Sequence, residues 1–236
     1  MLSGRRRARA AGVAAVIMLI GGGVVLSGGT PAQPGEVLVE DWTGHPQGGG
    51  GVPQGWRTYE TPGGRPAYDF TVVVDDGRRA LRLRSRDEHS TIARALVVDL
   101  DATPVLEWSW KIVTLPPGAD VRKRETSDLT AHLYVVWARF PAALRSRLIG
   151  YAWDTTAPAG RIEKSRKTGT TTFVILHSGT AETGRWITER RDVRADYLRI
   201  YGEKPDRPSA LALSIDTNDT HATAEGLIGR IAFATR

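Results

Sequence analysis

The chain has 236 residues, 41% of them hydrophobic, a formal charge of +6 and no cysteine, so neither a disulfide framework nor a lipid-modified lipoprotein is open to it. A pI near 9.9 would suit a nucleic-acid binder. The basic excess is concentrated at the start, however: setting aside residues 1–32 takes four arginines and no acid from the 32 basic residues, and 28 against 26 is +2, which removes the main support for nucleic acid as a partner.

That start reads MLSGRRRARA, with Arg5, Arg6, Arg7 and Arg9, followed by an apolar run from Ala10 to Leu26 and the small residues SGGTPA. A basic opening, an apolar core and small residues form the export-signal pattern. The run lies at the short end of the roughly 17–25 residues that span a bilayer, and its glycines weaken it as a spanning helix. A cleaved signal is therefore preferred over an inner-membrane anchor made by residues 10–26. Either way residues 33–236 are expected to fold as one domain in the periplasm or cell envelope, long enough to bury a core without disulfides.

From Gly35 onward short β-branched runs alternate with period two, the pattern of half-buried strands. EVLVEDW (36–42) comes first, and the glycine-rich PQGGGGVPQGW after it reads as a loop because no helix signal follows. FTVVVDDGRRALRLR predicts a hairpin, since Asp76-Gly77 suits the positive φ angles of a two-residue turn. On its return strand Leu81 and Leu83 face one way, Arg82 and Arg84 the other. Further strands are expected at 92–100, 106–113, 129–137, 148–154, 171–178, 210–216 and 227–234. One helix stands out in RRDVRADYLRIYG: Val193, Tyr197 and Ile200 or Tyr201 recur at helical spacing, Asp192 caps the start and Gly202 suits the end. About ten short strands with one or two short helices, and no βαβ alternation, predict a jelly-roll-type antiparallel β-sandwich.

Several motifs appear in a fixed order: W-S-W (108–110), PPGAD (116–120), a charged loop closing on Asp128, LYVVW (133–137), IGYAWD (149–154), GRWITERRDVRADYLRIYG (184–202) and D-T-N-D-T…A-T-A (216–224). In this the chain resembles the domain-of-unknown-function 3047 family over about residues 36–234. The resemblance implies an exported bacterial β-sandwich and brings no established activity with it. Ser127-Asp128 stands where the family pattern has two acids, and Arg230 near where it has one more. Both departures remove negative charge and weaken any inherited metal site.

The stretch LEWSWKIVTLPPGADVRKRETSD (106–128) poses the sharpest question. Alternation groups Leu106, Trp108, Trp110 and Ile112 on one face, so both tryptophans are expected in the core rather than on a sugar platform. The loop from Gly118 to Asp128 sets Asp120, Glu125 and Asp128 against Arg122, Lys123 and Arg124, a balance that suggests solvated ion pairs. If 106–113 pairs with 129–137 as a hairpin, the polar residues Glu107, Ser109, Lys111, Thr130, His132 and Tyr134 line one patch, which Arg82 and Arg84 join if they share the sheet. Such a face is a candidate glycan site. A cation beside a Tyr or His is also what β-elimination of an acidic sugar requires, with Lys111 offsetting the carboxylate and His132 or Tyr134 taking the proton.

Other chemistries find less support. Glycosidic hydrolysis wants two facing carboxylates, and Glu107 is the sole acid placed on that polar face. No nucleophile-elbow pattern supports a Ser-His-Asp triad. The oxygen-rich Asp216, Asn218, Asp219 and Thr220 form the calcium candidate, although the spacing does not fit a helix-loop-helix site and turn formation explains the cluster equally well. His45, His89, His132, His177 and His221 lack zinc-ligand spacing. The expected function is non-catalytic binding of a carbohydrate or another envelope component through Glu107, Lys111, His132, Tyr134, Arg82 and Arg84. The alternatives are a polysaccharide lyase acting through Lys111, His132 and Tyr134, and a structural envelope protein with no small ligand.

Overall fold

The computed structural model describes residues 35–59 and 66–236, so the export segment expected over residues 1–32 lies outside the described residues. Among those described, no helix is long and apolar enough to cross a membrane. Among the described residues thirteen strands form two sheets. The first is ordered β11 (Ile187–Asp192), β6 (Val105–Thr114), β13 (Thr223–Ala234), β4 (Arg78–Arg86), β3 (Asp69–Asp75), with β1 (Glu36–Glu40) also paired to β13. The second is ordered β2 (Arg57–Thr58), β5 (His89–Ala95), β12 (Ala210–Asp216), β7 (Leu129–Trp137), β8 (Arg147–Asp154), β10 (Thr171–Ser178), β9 (Ile162–Lys164). The result is the expected jelly-roll-type β-sandwich, with one departure from antiparallel order: β8 and β10 run parallel.

Local signals explain much of this. Asp76 and Gly77 adopt φ of 49° and 73° between β3 and β4, the left-handed pair a two-residue hairpin needs. Helix α2 (Val193–Tyr201) is capped by Asp192, whose Oδ1 accepts from the Ala195 N–H at 2.8 Å, and it ends on Gly202 at φ 73°. A single short turn, α1 (Ala142–Arg145), lies between β7 and β8.

The core lies between the sheets. Leu106, Trp108, Trp110 and Ile112 of β6 meet Ala131, Leu133, Val135 and Trp137 of β7 in one buried cluster. Trp108 packs on Tyr151 at 5.3 Å between ring centroids and Trp110 on Trp153 at 6.0 Å, so both tryptophans are core residues as expected. Their N–H groups fare differently. That of Trp110 donates to Glu189 at 3.2 Å, while that of Trp108 has no partner among the described residues.

The expected hairpin between 106–113 and 129–137 does not form. β6 pairs with β11 and β13, and β7 pairs with β12 and β8 in the opposite sheet. Residues 115–128 therefore carry the chain from one sheet to the other. That crossing is tied down by Asp154, which accepts from the Val121 N–H at 3.0 Å, and by Thr155, whose hydroxyl donates to the Pro116 carbonyl at 2.8 Å. Within it Asp120 pairs with Arg122 and Lys123, and the Arg122 hydrogen bonds hold the Asp120 carboxyl down to about 2.

Candidate ligand-binding face

Because β6 and β7 lie in opposite sheets, the polar patch is divided between the two outer faces of the sandwich. Glu107, Ser109 and Lys111, with Arg82 and Arg84 of β4, face outward from the six-stranded sheet, while His132 and Tyr134 face outward from the seven-stranded sheet. The catalytic grouping of Lys111 with His132 and Tyr134 is therefore not assembled.

On the six-stranded sheet, charges meet charges. Lys111 Nζ lies 2.7 Å from Asp75 and 3.2 Å from Asp76, Arg190 pairs with Glu107 at 2.9 Å, and Arg84 with Asp69 at 3.1 Å. Trp186 lies across this face and donates its indole N–H to Asp75 at 2.8 Å, with Arg78 stacked on it 5.6 Å from the ring centre. Arg82 leaves its Nε without a hydrogen-bond partner among the described residues.

The seven-stranded sheet presents a different surface. In its register Arg57 lies opposite Ala93, Ala93 opposite Ala212, Ala212 opposite Tyr134, Tyr134 opposite Gly150 and Gly150 opposite Phe173. One row crossing six strands thus runs from Arg57 through two alanines to a ring, a glycine and a second ring. Gly150 has no room for a side chain: a Cβ there would stand 2.8 Å from both Tyr134 Cε1 and Phe173 Cδ1. The two rings lie over its backbone instead, with centroids 6.1 Å apart.

A second row, two residues along each strand, holds Thr91, Ser214 and His132. The Thr91 hydroxyl meets Ser214 at 2.6 Å and the His89 ring at 3.1 Å. His132 Nδ1 faces the Thr130 carbonyl at 2.7 Å, and since a carbonyl only accepts, that nitrogen carries the proton. Its Nε2 therefore accepts from the Tyr134 hydroxyl at 2.8 Å. Asp216 ends the strand opposite His89 and accepts from the Leu129 N–H at 2.6 Å.

Burial holds this face neutral. It lowers His132 and His89 each to about 4 and raises Tyr134 well above its ordinary value. It also pushes Asp216 up to about 8, with Asp128 adding to the rise and Lys167 opposing it. Near neutral pH the row thus holds neutral imidazoles, hydroxyls and a protonated carboxyl, of which His132, Thr91 and Ser214 are buried and Tyr134, His89 and Asp216 half-buried. A tyrosine held protonated beside a neutral histidine is a hydrogen-bonding pair rather than a ready base.

The oxygen cluster at 216–220 is held together from within. Asp128 accepts from the Asp219 and Thr220 N–H groups and from the Thr220 hydroxyl, and Lys167 forms an ion pair with Asp219. Asn218 is exposed. Among the described residues no group of three His, Asp or Glu side chains is arranged to hold a metal ion.

Thr91, Ser214 and Phe173 were not singled out by the sequence, although each sits in an alternating strand or beside one, and His89 was weighed only as a zinc ligand. The available signal was Gly150, an isolated glycine inside a strand and so a marker of close approach.

Residues 54–232 match the family model described as "Protein of unknown function (DUF3047)". No functionally curated protein matches the chain. Among solved structures, the chain is similar to a family 11 carbohydrate-binding module from Clostridium thermocellum in complex with a β-1,3-1,4-mixed-linked tetrasaccharide, at 10% identity and a TM-score of 0.46 over 87% of this chain and 98% of that one. It is also similar to a xylan-binding domain from Paenibacillus barcinonensis, at 13% identity and a TM-score of 0.34 over 80% and 90% of the two chains.

Proposed function

We propose, from the premise that the chain belongs to the DUF3047 family of proteins of unknown function, that it is a non-catalytic binding protein for a neutral glycan of the cell envelope. The basic and apolar start follows the export-signal pattern and supports a location outside the cytoplasm. The ligand lies along the outer face of the seven-stranded sheet. One observation carries the reading: a row in which Tyr134 and Phe173 flank Gly150 and the small residues Ala212 and Ala93 continue on the other side of Tyr134, beside a second row of hydroxyls and neutral imidazoles. Tyr134, Ala93 and His89 are the half-buried members of these rows; the Tyr134 ring supplies apolar surface for a sugar face, and uncharged donors and acceptors match sugar hydroxyls. A charged glycan would find no opposite charge at the centre of this row.

The lyase alternative needed a cation beside His132 and Tyr134, and Lys111 stands on the other sheet, engaged by Asp75 and Asp76. Calorimetry of the full chain against neutral oligosaccharides (cello-, manno- and xylotetraose) and against oligogalacturonate tests the proposal. One neutral series should bind, and Tyr134→Ala should weaken it by about tenfold or more, equivalent to ~1.4 kcal/mol, while Lys111→Ala leaves it unchanged. Tight binding of oligogalacturonate instead, or an affinity indifferent to Tyr134→Ala, would overturn it.

A further inference from the structure

Helix α2 ends against the free edge of the seven-stranded sheet, and between them lies a cleft of about 460 Å³, within the roughly 300–1,000 Å³ of small-ligand sites. Its walls carry four cations, Arg139, Arg145, Arg147 and Lys164, and no carboxylate. Strand parity separates it from the neutral row. Lys164 lies opposite Thr172, and Thr172 opposite the core residue Ile149, so the cleft opens on the core side of the sheet edge.

Two of the arginines are fixed in place. Arg147 stacks over the Tyr201 ring at 4.4 Å and the Tyr197 ring at 5.4 Å. Arg139 and Arg147 both donate to the Tyr197 hydroxyl, and Glu203 and Asp206 partly offset their charge. The other two cations, Arg145 and Lys164, are not offset. Arg145 meets the Phe140 carbonyl at 3.3 Å, and both Arg145 and Lys164 are exposed, with no carboxylate beside either among the described residues.

We propose that this cleft binds a phosphate group, with Arg145 and Lys164 as its charge partners and Arg139 and Arg147 as oriented donors. Guanidinium forks match phosphate oxygens, and a tetrahedral dianion can engage several converging cations where a planar monoanion engages fewer. Two sources would present that group: a soluble phosphate ester or the headgroup of an anionic lipid. Phe140 and Leu144, on the rim beside Arg139 and Arg145, are 85% and 81% exposed and would reach an apolar layer only in the second case.

Titration calorimetry of the full chain with inorganic phosphate and glycerol 3-phosphate is one arm of the test. Flotation with phosphatidylcholine vesicles, with and without phosphatidylglycerol, is the other. Binding should weaken by about tenfold or more in the Arg145→Ala, Lys164→Ala pair. It should persist in Arg86→Ala, Arg185→Ala, a pair exposed elsewhere. Because Arg145 and Lys164 are exposed, the variant should keep the parent's melting temperature. Phosphatidylglycerol-dependent flotation lost in both the Arg145, Lys164 pair and Phe140→Ser, Leu144→Ser supports a lipid source. Ester binding without flotation supports a soluble one. Absence of binding in both arms, or equal losses in the two arginine-containing pairs, overturns the site. The neutral-glycan reading stands or falls separately, since Tyr134 lies outside the cleft.

Discussion

The two outer faces of the sandwich follow one rule of alternation and end in opposite electrostatic states. On the six-stranded sheet, Glu107, Lys111 and Arg84 pair with charged neighbours, and the Arg84–Asp69 pair stays wet, its partners 44% and 47% exposed. On the seven-stranded sheet, the outward residues are hydroxyls, imidazoles and small side chains, and His132 is fully enclosed although it points away from the main core. Alternation decides only that a residue faces outward. What lies opposite it in the next strand decides whether it is solvated, paired or desolvated, and a desolvated neutral row is the one with specificity to offer a sugar.

The largest effect expected on the neutral face comes from adding a side chain at Gly150. In Gly150→Val, the new carbons meet Tyr134 and Phe173 where even a Cβ stands at 2.8 Å. Overpacking of this kind costs ~1–3 kcal/mol. In Gly44→Ala, where nothing lies within 4 Å, the change should stay within about 0.5 kcal/mol. Urea unfolding of both variants measures the difference. A Gly150→Val protein as stable as its parent would show that the rings are free to move and that the close packing over Gly150 is not fixed.

Next in size is the pH dependence that the neutral face imposes. His132 and His89 titrate near 4 in the folded protein, below the 6.5 of a free histidine. Between those values the unfolded chain binds more protons, so stability rises with pH through this window and is lost as pH falls through it. Asp216 behaves oppositely. Folded, it holds its proton up to about 8, against 3.8 in the unfolded chain, so its contribution is lost as pH rises through that range. Two histidines against one carboxyl below pH 6.5, and the carboxyl alone above it, predict a stability maximum near 6.5. Asp216→Asn should flatten the decline between 6.5 and 8, and His132→Phe should flatten the rise between 4 and 6.5. Denaturant midpoints across pH would expose a face that is charged rather than neutral, because both slopes would then vanish.

How much of this the sequence disclosed depends on whether the signal was local. The Asp76-Gly77 turn, the Asp192 and Gly202 caps of α2, and the strands at 129–137, 171–178 and 210–216 carry their causes in adjacent residues. β2 and β9 are too short for a periodic signal, and β11, ITERRD, hides its pattern under charge. The misplaced hairpin has a simple origin. Leu106, Trp108, Trp110 and Ile112 show the same alternation whether their partner strand lies beside them or faces them across the core, and Pro116-Pro117-Gly118 reads as a turn in either case. His132 and Tyr134 were visible as polar residues on the correct side of β7. Their companions were not, because Thr91, Ser214 and Gly150 join them only through a register set by strands far away in the chain.

The smallest effects are expected on the six-stranded sheet, and they give the comparison its control. Glu107 and Arg190 lie opposite each other in β6 and β11, 2.9 Å apart and 31% and 58% exposed. An exposed pair of this kind contributes a coupling of roughly 0.2–1 kcal/mol, because water screens the attraction and two long side chains lose freedom to make it. A double-mutant cycle with Glu107→Ala and Arg190→Ala, read from thermal unfolding, should return a value in that range that shrinks as salt is added. Neither variant should change glycan affinity. A coupling well above the range would mean that this face too is desolvated. The contrast would then lie in charge against neutrality rather than in burial, and the case for placing the ligand on the opposite sheet would lose its physical basis.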